Sequence, residues 1–134
     1  VPDSSAEFPE KILSEIPAFE GMTRGEWGEA QAAAFLAQKG GRILARNYRT
    51  RFGELDIIAE LSGVLLFVEV KTRKNDHFAA AREAVTSRKQ QRLRITAELW
   101  LQEHSTPFQP RFDVIEVYGE PEQAVRIVHI ENAF

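Results

Sequence analysis

The sequence predicts an α/β fold, a mixed β-sheet flanked by helices with its elements in the order α-β-β-β-α-β-β. Three observations indicate this class: a capped, Ala-rich helical segment, three successive β-segments, and a long amphipathic helix followed by two further strands. The length of 134 residues and the hydrophobic content of 43% are ordinary for one compact domain. We expect residues 22–134 to form that domain and residues 1–21 to be an acidic N-terminal extension, with at most one short helix over residues 11–16.

The first helix is marked at both ends. Thr23 and Glu26 have the spacing of a capping box, in which each side chain accepts a hydrogen bond from the backbone N–H of the other residue. Gly40 and Gly41 follow the helical residues and stop the helix at about Lys39. The Ala-rich faces between these ends permit close packing of the helix on a sheet.

Three β-segments follow, and a longer helix separates them from two more. A looser segment is predicted over residues 75–80, and the second helix begins at Ala81 or Thr86 and runs to Glu103. Two prolines break the chain before the next strand, and a Gly-Glu-Pro turn separates the last two strands. The predicted strands cover residues 42–48, 52–61, 64–73, 111–118 and 124–130.

A two-residue turn at Ser62 and Gly63 joins the second and third strands and fixes their register. Pairing Leu61 with Val64 places apolar residues opposite one another on one face of this hairpin. A one-residue slip would mix the polar and apolar faces, which supports the register. The pairs on the apolar face are Ala59–Leu66, Ile57–Val68 and Leu55–Val70. The pairs on the other face are Ile58–Phe67, Asp56–Glu69 and Glu54–Lys71.

On the second face, two carboxylates are predicted to converge. Directly opposed residues hold their Cβ atoms roughly 4.5–5.5 Å apart, so Asp56 and Glu69 repel one another unless a cation compensates them. One interpretation is a solvated rim, with Glu54 and Lys71 in a cross-strand ion pair. The other is a Mg²⁺ site, because hard cations bind carboxylate oxygens together with water and phosphate. Lys71 would then orient a water molecule or stabilise charge on a phosphate, which suits phosphodiester cleavage.

These residues belong to a longer ordered pattern. Asp56 followed by Glu69-x-Lys71 on adjoining strands resembles the core of the PD-(D/E)xK nuclease superfamily, which has the restriction-endonuclease-like fold. The chain from about Met22 onward also resembles the YraN-type family of small bacterial proteins, which are similar to archaeal Holliday junction resolvases. The matching motifs are Gly28-Glu29, Lys89 and residues 43–49, 53–56, 67–73, 84–85 and 111–114.

The resemblance implies a role for each motif residue. Asp56 and Glu69 would be metal ligands, with the main-chain carbonyl of Val70 as a third, and Lys71 would be the catalytic lysine. Glu29 would be the additional acid that the first helix contributes to the site. The implied cofactor is Mg²⁺, with Mn²⁺ as its substitute.

Charge is distributed unevenly along the chain, although the formal net charge is only −3. Residues 1–21 carry five acidic side chains and one lysine, whereas residues 71–94 carry eight basic and two acidic side chains. Basic residues beside a carboxylate site favour a phosphate backbone as ligand, and solvated helix and strand surfaces are the alternative interpretation. The candidate nucleic-acid contacts are Arg49, Arg73, Arg88, Lys89 and Arg92.

Lys89 occupies a position that usually faces the core. At 100° per residue it falls on the same helix stripe as Val85, Leu93, Thr96 and Trp100. In one interpretation its stem packs against the sheet while its ammonium group snorkels to solvent. In the other, the ammonium group lies over the cleft, near a phosphate or one of the acids.

The favoured hypothesis is a Mg²⁺-dependent endonuclease that acts on DNA, with branched or junction DNA among its candidate substrates. The alternatives are a nucleic-acid-binding module with the same fold and little or no cleavage, and a scaffold that docks a protein partner through residues 1–21. A junction-resolving enzyme would require a homodimer. The absence of cysteine, of a signal peptide and of any apolar run of roughly 20 residues favours a soluble cytoplasmic protein with no membrane span.

Overall fold

A computed structural model describes residues 3–7, 21–74 and 85–134 of the chain. Those residues form two helices and six strands, in an order close to the one that the sequence predicts. In chain order the elements are β1 (Asp3–Glu7), α1 (Arg24–Gln38), β2 (Arg42–Thr50), β3 (Gly53–Leu61), β4 (Val64–Arg73), α2 (Ser87–Glu103), β5 (Gln109–Tyr118) and β6 (Arg126–Ile130).

The strands form one mixed sheet in the order β1-β6-β5-β4-β3-β2. β4 and β5 are parallel and are connected through α2, whereas the other neighbouring pairs are antiparallel. From α1 onward the predicted order α-β-β-β-α-β-β is confirmed. β1 adds an edge strand beside β6 that the sequence did not predict. The short helix predicted over residues 11–16 and the looser segment over residues 75–80 lie outside the described residues.

Local sequence signals fix the start of α1 and the turn between β3 and β4. The Glu26 N–H donates to the Thr23 hydroxyl (3.1 Å), and the Thr23 N–H donates to the Glu26 carboxylate (2.7 Å), which confirms the capping box. Ser62 and Gly63 have positive φ angles of 52° and 78°, as a type I′ hairpin turn requires. The observed pairs from Leu61–Val64 to Ile57–Val68 confirm the predicted register.

The predicted pairing does not continue past that point. The ladder between β3 and β4 ends at Ile57–Val68, where the two strands separate. Leu55 packs among the side chains under α2, whereas Ile57 and Ala59 face α1, so its predicted place on the same face as those two residues was wrong. β3 stays paired with β2 here, but that register includes Ile57 and Leu55 and not Asp56, and Asn47 between the paired residues of β2 has a positive φ of 54°. The regular alternation of faces is therefore interrupted between Leu55 and Ile57. The predicted pairs that the ladder lacks are Asp56–Glu69, Leu55–Val70 and Glu54–Lys71.

Each helix covers an apolar core on its own face of the sheet. Trp27 of α1 and Trp100 of α2 are 3% and 4% exposed, so both tryptophans belong to the core. The core under α1 includes Phe35, Leu36, Ile57, Ala59, Leu66, Val68, Ile115 and Ile127. The core under α2 includes Leu55, Ile58, Leu65, Phe67, Leu93 and Ala97. Neither described helix has the length and apolar character that a membrane span needs.

Candidate active site

The candidate site lies where β3 and β4 separate. The Val70 N–H of β4 donates a hydrogen bond to Oδ2 of Asp56 on β3 (2.8 Å), so a carboxylate stands where the backbone ladder would otherwise continue. This bond fixes the Asp56 side chain between the two strands. The predicted role of the Val70 carbonyl as a metal ligand stays a prediction.

Asp56 is one of three carboxylates whose oxygens lie within 4.8 Å of one another. The other two belong to Glu29 on α1 and Glu54 on β3, and all three residues are half-buried. The sequence interpretation placed Glu54 opposite Lys71 and left it out of the ligand set. Glu54 and Asp56 are two residues apart on one strand and therefore share a face, which is the signal that would have found this ligand.

The carboxylates in this group oppose one another's ionisation. The pKa of Asp56 is raised from 3.8 to about 7, and burial is the largest cause. The Val70 hydrogen bond lowers this pKa, whereas the negative charges of Glu69, Glu29 and Glu54 raise it further. A divalent cation would remove this opposition, because its charge favours the ionised form of every carboxylate around it.

The pKa of Glu29 is also raised from its ordinary value. Burial raises its pKa, and a hydrogen bond with Asn47 and the positive charge of Arg46 act in the opposite direction. Carboxylate oxygens are the ligands that Mg²⁺ and Mn²⁺ prefer. The three crowded acids therefore fit a hard divalent cation both in donor chemistry and in electrostatics.

A glycine allows α1 to bring Glu29 to this point. A Cβ atom added to Gly28 would lie 1.9 Å from Oγ1 and 3.0 Å from Cβ of Thr72 on β4. A residue with a side chain cannot occupy this position unless the helix and the strand move apart. The Gly28-Glu29 motif thus combines a contact between helix and sheet with a carboxylate of the site.

We expect Gly28→Ala to lower the free energy of unfolding by about 1–3 kcal/mol, because overpacking against Thr72 exceeds the gain in helix propensity. Gly25→Ala is the matched control: its Cβ would meet only Oγ1 of Thr23, at 3.9 Å, so the change should be neutral or stabilising. Urea unfolding of both variants measures the difference. Partial rescue of Gly28→Ala by Thr72→Ala would assign the loss to this contact, and equal losses at both glycines would contradict it.

Glu69 lies in the same cleft but has a different partner. Its Oε1 accepts a hydrogen bond from Nζ of Lys89 at 2.8 Å. Lys89 comes from the first turn of α2, whose cap is formed by Thr86. The ammonium group therefore lies over the cleft beside an acid, as one of the two interpretations of the helix stripe proposed, although 47% of the lysine side chain is still exposed.

The cleft between the separated strands and α2 has a volume of about 680 Å³. Its strand wall carries Glu54, Asp56 and Glu69, and its helix wall carries basic side chains. Three of the residues predicted to contact nucleic acid line this wall: Arg88, Lys89 and Arg92. The structure therefore places acids and bases from distant parts of the sequence on opposite sides of one open cavity.

Three further predicted site residues, Lys71, Arg49 and Arg73, are not among the residues that line this cleft. Lys71 is half-buried two residues after Glu69, and it has no hydrogen-bond or ion-pair partner among the residues that the structure describes. Nε of Arg49 lies 3.2 Å from Oε2 of Glu54, so Arg49 holds the acid that was predicted to face Lys71. Arg73 is outside the cleft lining, and its Nη1 donates to the Thr72 carbonyl (3.2 Å).

A mixed sheet flanked by helices, with acids where two antiparallel strands separate, places this protein in the restriction-endonuclease-like superfamily. The chain belongs to UPF0102, described as an uncharacterised protein family, and the family profile matches residues 28–117. The resemblance to the YraN-type family is thereby confirmed.

The alignments with relatives in this family extend over nearly the whole length of each relative. A UPF0102 protein of Symbiobacterium thermophilum is 50% identical over 111 residues, which cover 82% of this chain and 94% of the relative. A UPF0102 protein of Parafrankia sp. is 45% identical over 113 residues, with coverage of 82% and 94%. A UPF0102 protein of Pelotomaculum thermopropionicum is 46% identical over 112 residues, with coverage of 82% and 93%. Each comparison therefore relates this chain to a protein of similar extent.

Proposed function

We propose that this protein is a divalent-cation-dependent endonuclease that hydrolyses phosphodiester bonds in DNA. The observation that carries the proposal is the group formed by Glu29, Glu54 and Asp56, whose carboxylate oxygens lie within 4.8 Å of one another. The cleft that holds Glu54 and Asp56 has a basic opposite wall. Acids suited to a cation and bases suited to phosphates are the two requirements of metal-assisted phosphodiester hydrolysis.

The three carboxylates would hold Mg²⁺ or Mn²⁺, with Glu69 available beside them. When bound, the ion would lower the pKa of a coordinated water molecule and neutralise charge on the phosphate. Lys71 would supply the ammonium group that aligns the attacking water or stabilises negative charge on the phosphate. Its place on β4, two residues from Glu69, puts both side chains on the same side of the strand.

The helix wall of the cleft supports a nucleic acid as the substrate. Arg88 and Arg92 are exposed, and the first turn of α2 contains no acidic residue. The start of a helix also carries a partial positive charge, which favours phosphate groups. A DNA backbone in the cleft would therefore meet basic side chains on one wall while one phosphate approaches the acids on the other.

Duplex, branched and single-stranded DNA are the candidate substrates within this proposal. Cleavage of a four-way junction at two symmetric positions would require two copies of the chain. A panel of these DNA structures, incubated with Mg²⁺ or Mn²⁺, tests the proposal directly. Binding with no cleavage of any member would favour the alternative of a nucleic-acid-binding module.

Lys71→Ala is expected to reduce the cleavage rate at least a hundredfold, because the ammonium group acts on charge that develops in the transition state. Binding of Mn²⁺, measured by calorimetry, should stay near its original strength, since the carboxylates remain. Lys74→Ala removes an exposed lysine three residues further on and serves as the control. Cleavage by purified Lys71→Ala at the original rate would rule out the proposed role of this lysine.

A further inference from the structure

Glu69 and Lys89 form an ion pair across the cleft between the sheet and α2. Nζ of Lys89 lies 2.8 Å from Oε1 of Glu69, and the side chains are 47% and 11% exposed, respectively. Asp56 differs, because its carboxylate is held by the backbone N–H of Val70. A nearly buried acid is thus balanced by a charge on a long, half-exposed side chain from the opposite wall.

Replacing Lys89 by another cation as the partner of Glu69 would cost little free energy. Partly exposed ion pairs contribute little net stability, and an ammonium group on a four-carbon stem reaches several positions. The Glu69 carboxylate needs a compensating cation because it is nearly buried. A divalent ion held by the neighbouring acids would meet that need, and Lys89 would then be free to reach into the cleft beside Arg88 and Arg92.

We propose that Lys89 exchanges its partner Glu69 for a substrate phosphate as the site fills. It neutralises Glu69 in the cation-free protein and contacts a substrate phosphate once a divalent cation neutralises the acids. The inference rests on the proposed function and extends it to the coupling between the two ligands. By linkage, the cation raises the affinity for DNA by the same factor by which DNA raises the affinity for the cation.

In a cleft that has basic side chains but no exchange of Lys89, a divalent cation would weaken DNA binding. Divalent cations compete with basic side chains for phosphates, so DNA binding to such a cleft weakens when Mg²⁺ is added. An ion that bridges the acids and a phosphate would strengthen DNA binding without any need for Lys89. If the gain in DNA affinity on adding Mg²⁺ depends on Lys89, the exchange of partners is supported. A basic cleft alone would give no gain, and a bridging ion would give a gain that does not depend on Lys89.

The experiment uses the full chain carrying Lys71→Ala, which under the proposed function binds DNA and cleaves it at least a hundredfold more slowly. Fluorescence anisotropy gives the Kd of a short labelled DNA duplex with and without Mg²⁺ at constant ionic strength, and calorimetry gives the Kd of Mn²⁺ alone. With Lys89 in place, Mg²⁺ should raise the affinity for DNA about tenfold. In Lys89→Gln this gain should fall below about threefold, and Mn²⁺ alone should bind several-fold more tightly because its competitor is gone.

Matched variants separate exchange from simple loss of charge. Lys89→Arg should keep the gain, and Lys89→Met should behave like Lys89→Gln. Arg92→Gln removes a cleft cation that has no ion-pair partner among the described residues, so it should weaken DNA binding equally with and without Mg²⁺. An unchanged gain and unchanged Mn²⁺ affinity in Lys89→Gln would overturn the exchange and leave the proposed function standing. Failure of every variant to bind Mn²⁺ would overturn both.

Discussion

Asp56→Asn is expected to abolish metal-dependent DNA cleavage and also to raise the free energy of unfolding, measured without divalent ions, by on the order of 2 kcal/mol. One cause produces both effects. The Asp56 carboxylate is buried near Glu29, Glu54 and Glu69, and its pKa is raised to about 7. The asparagine side chain keeps an oxygen for the Val70 N–H but removes the charge that opposes folding and that the cation requires.

The two effects are measured separately. Urea unfolding in the presence of a chelator, at a pH above the raised pKa of about 7, reports the full cost of burying the ionised carboxylate. Mn²⁺ calorimetry and the DNA panel report loss of the ion and of cleavage. Glu60→Gln is the control, because Glu60 lies on the same strand in an ion pair with Arg42 (2.6 Å) outside the cleft. Its substitution should change stability by less than about 1 kcal/mol and leave cleavage intact.

Two results would contradict this account of Asp56. Cleavage at the original rate by Asp56→Asn would remove the carboxylate from the mechanism. Loss of cleavage together with a large loss of stability would indicate that the substitution damages the fold, and the activity result would then carry no information about the site. The expected combination of lost activity and gained stability is typical of residues whose placement serves chemistry at the expense of folding.

The parts of the fold that were predicted from sequence depend on local interactions. The capping box of α1 involves residues three apart, and the turn at Ser62 and Gly63 determines the register of the strands beside it. Each signal lies within a few residues of the structure that it specifies. The parallel pairing of β4 with β5 and the edge strand β1 depend on distant contacts, so alternation and turn residues gave no basis for predicting them.

The sequence predicted which residues form the candidate site better than it predicted how they are arranged. Their spacing on adjacent strands predicted that Asp56 and Glu69 lie close together, and both line one cleft. They do not form the predicted cross-strand pair, because the ladder between β3 and β4 ends at the preceding pair, Ile57–Val68. Glu54 joins the carboxylate group where β3 has separated from β4 but is still paired with β2, and Lys89 reaches Glu69 from the first turn of α2. The two-residue spacing of Glu54 and Asp56 on β3 signals a shared face, and the helix stripe left Lys89 beside an acid as one of two interpretations. Which partners these side chains meet depends on tertiary packing.

A fully buried acid, Asp113, lies outside this site, where β5 meets β6. Asp113 and His129 are fully buried, and an Asp113 oxygen lies 2.7 Å from Nε2 of His129. Arg111 donates from Nε and Nη2 to the two Asp113 oxygens at 2.8 and 2.9 Å, and the Asn132 N–H donates at 3.0 Å. Burial alone would raise the pKa of Asp113, but the hydrogen bonds from His129, Arg111 and Asn132 together lower it.

Asp113→Asn is expected to lower the free energy of unfolding at neutral pH by about 3–5 kcal/mol. It leaves the buried imidazole without its ionised partner, and among the residues that the structure describes it leaves the partly buried guanidinium group of Arg111 with only the more exposed Glu131, at 3.4 Å. Urea unfolding measures this loss. Glu120→Gln is the matched control: its ion pair with Arg24 (3.2 Å) is partly exposed, so its loss should stay below about 1 kcal/mol. Similar losses in the two variants would contradict a special contribution from the buried network.

The direction of the pKa shift also predicts how this loss depends on pH. The folded state favours ionised Asp113 more than the unfolded state does, so the stabilisation is fully present above the ordinary pKa of 3.8 and is lost as the pH falls through the lower folded value. The difference in stability between the original protein and Asp113→Asn should therefore be constant from neutral pH to about pH 5 and should narrow in stronger acid. Thermal unfolding across this range measures it. A difference that stays constant in strong acid would assign the loss to altered packing, because loss of an ionised partner must disappear once that partner is protonated.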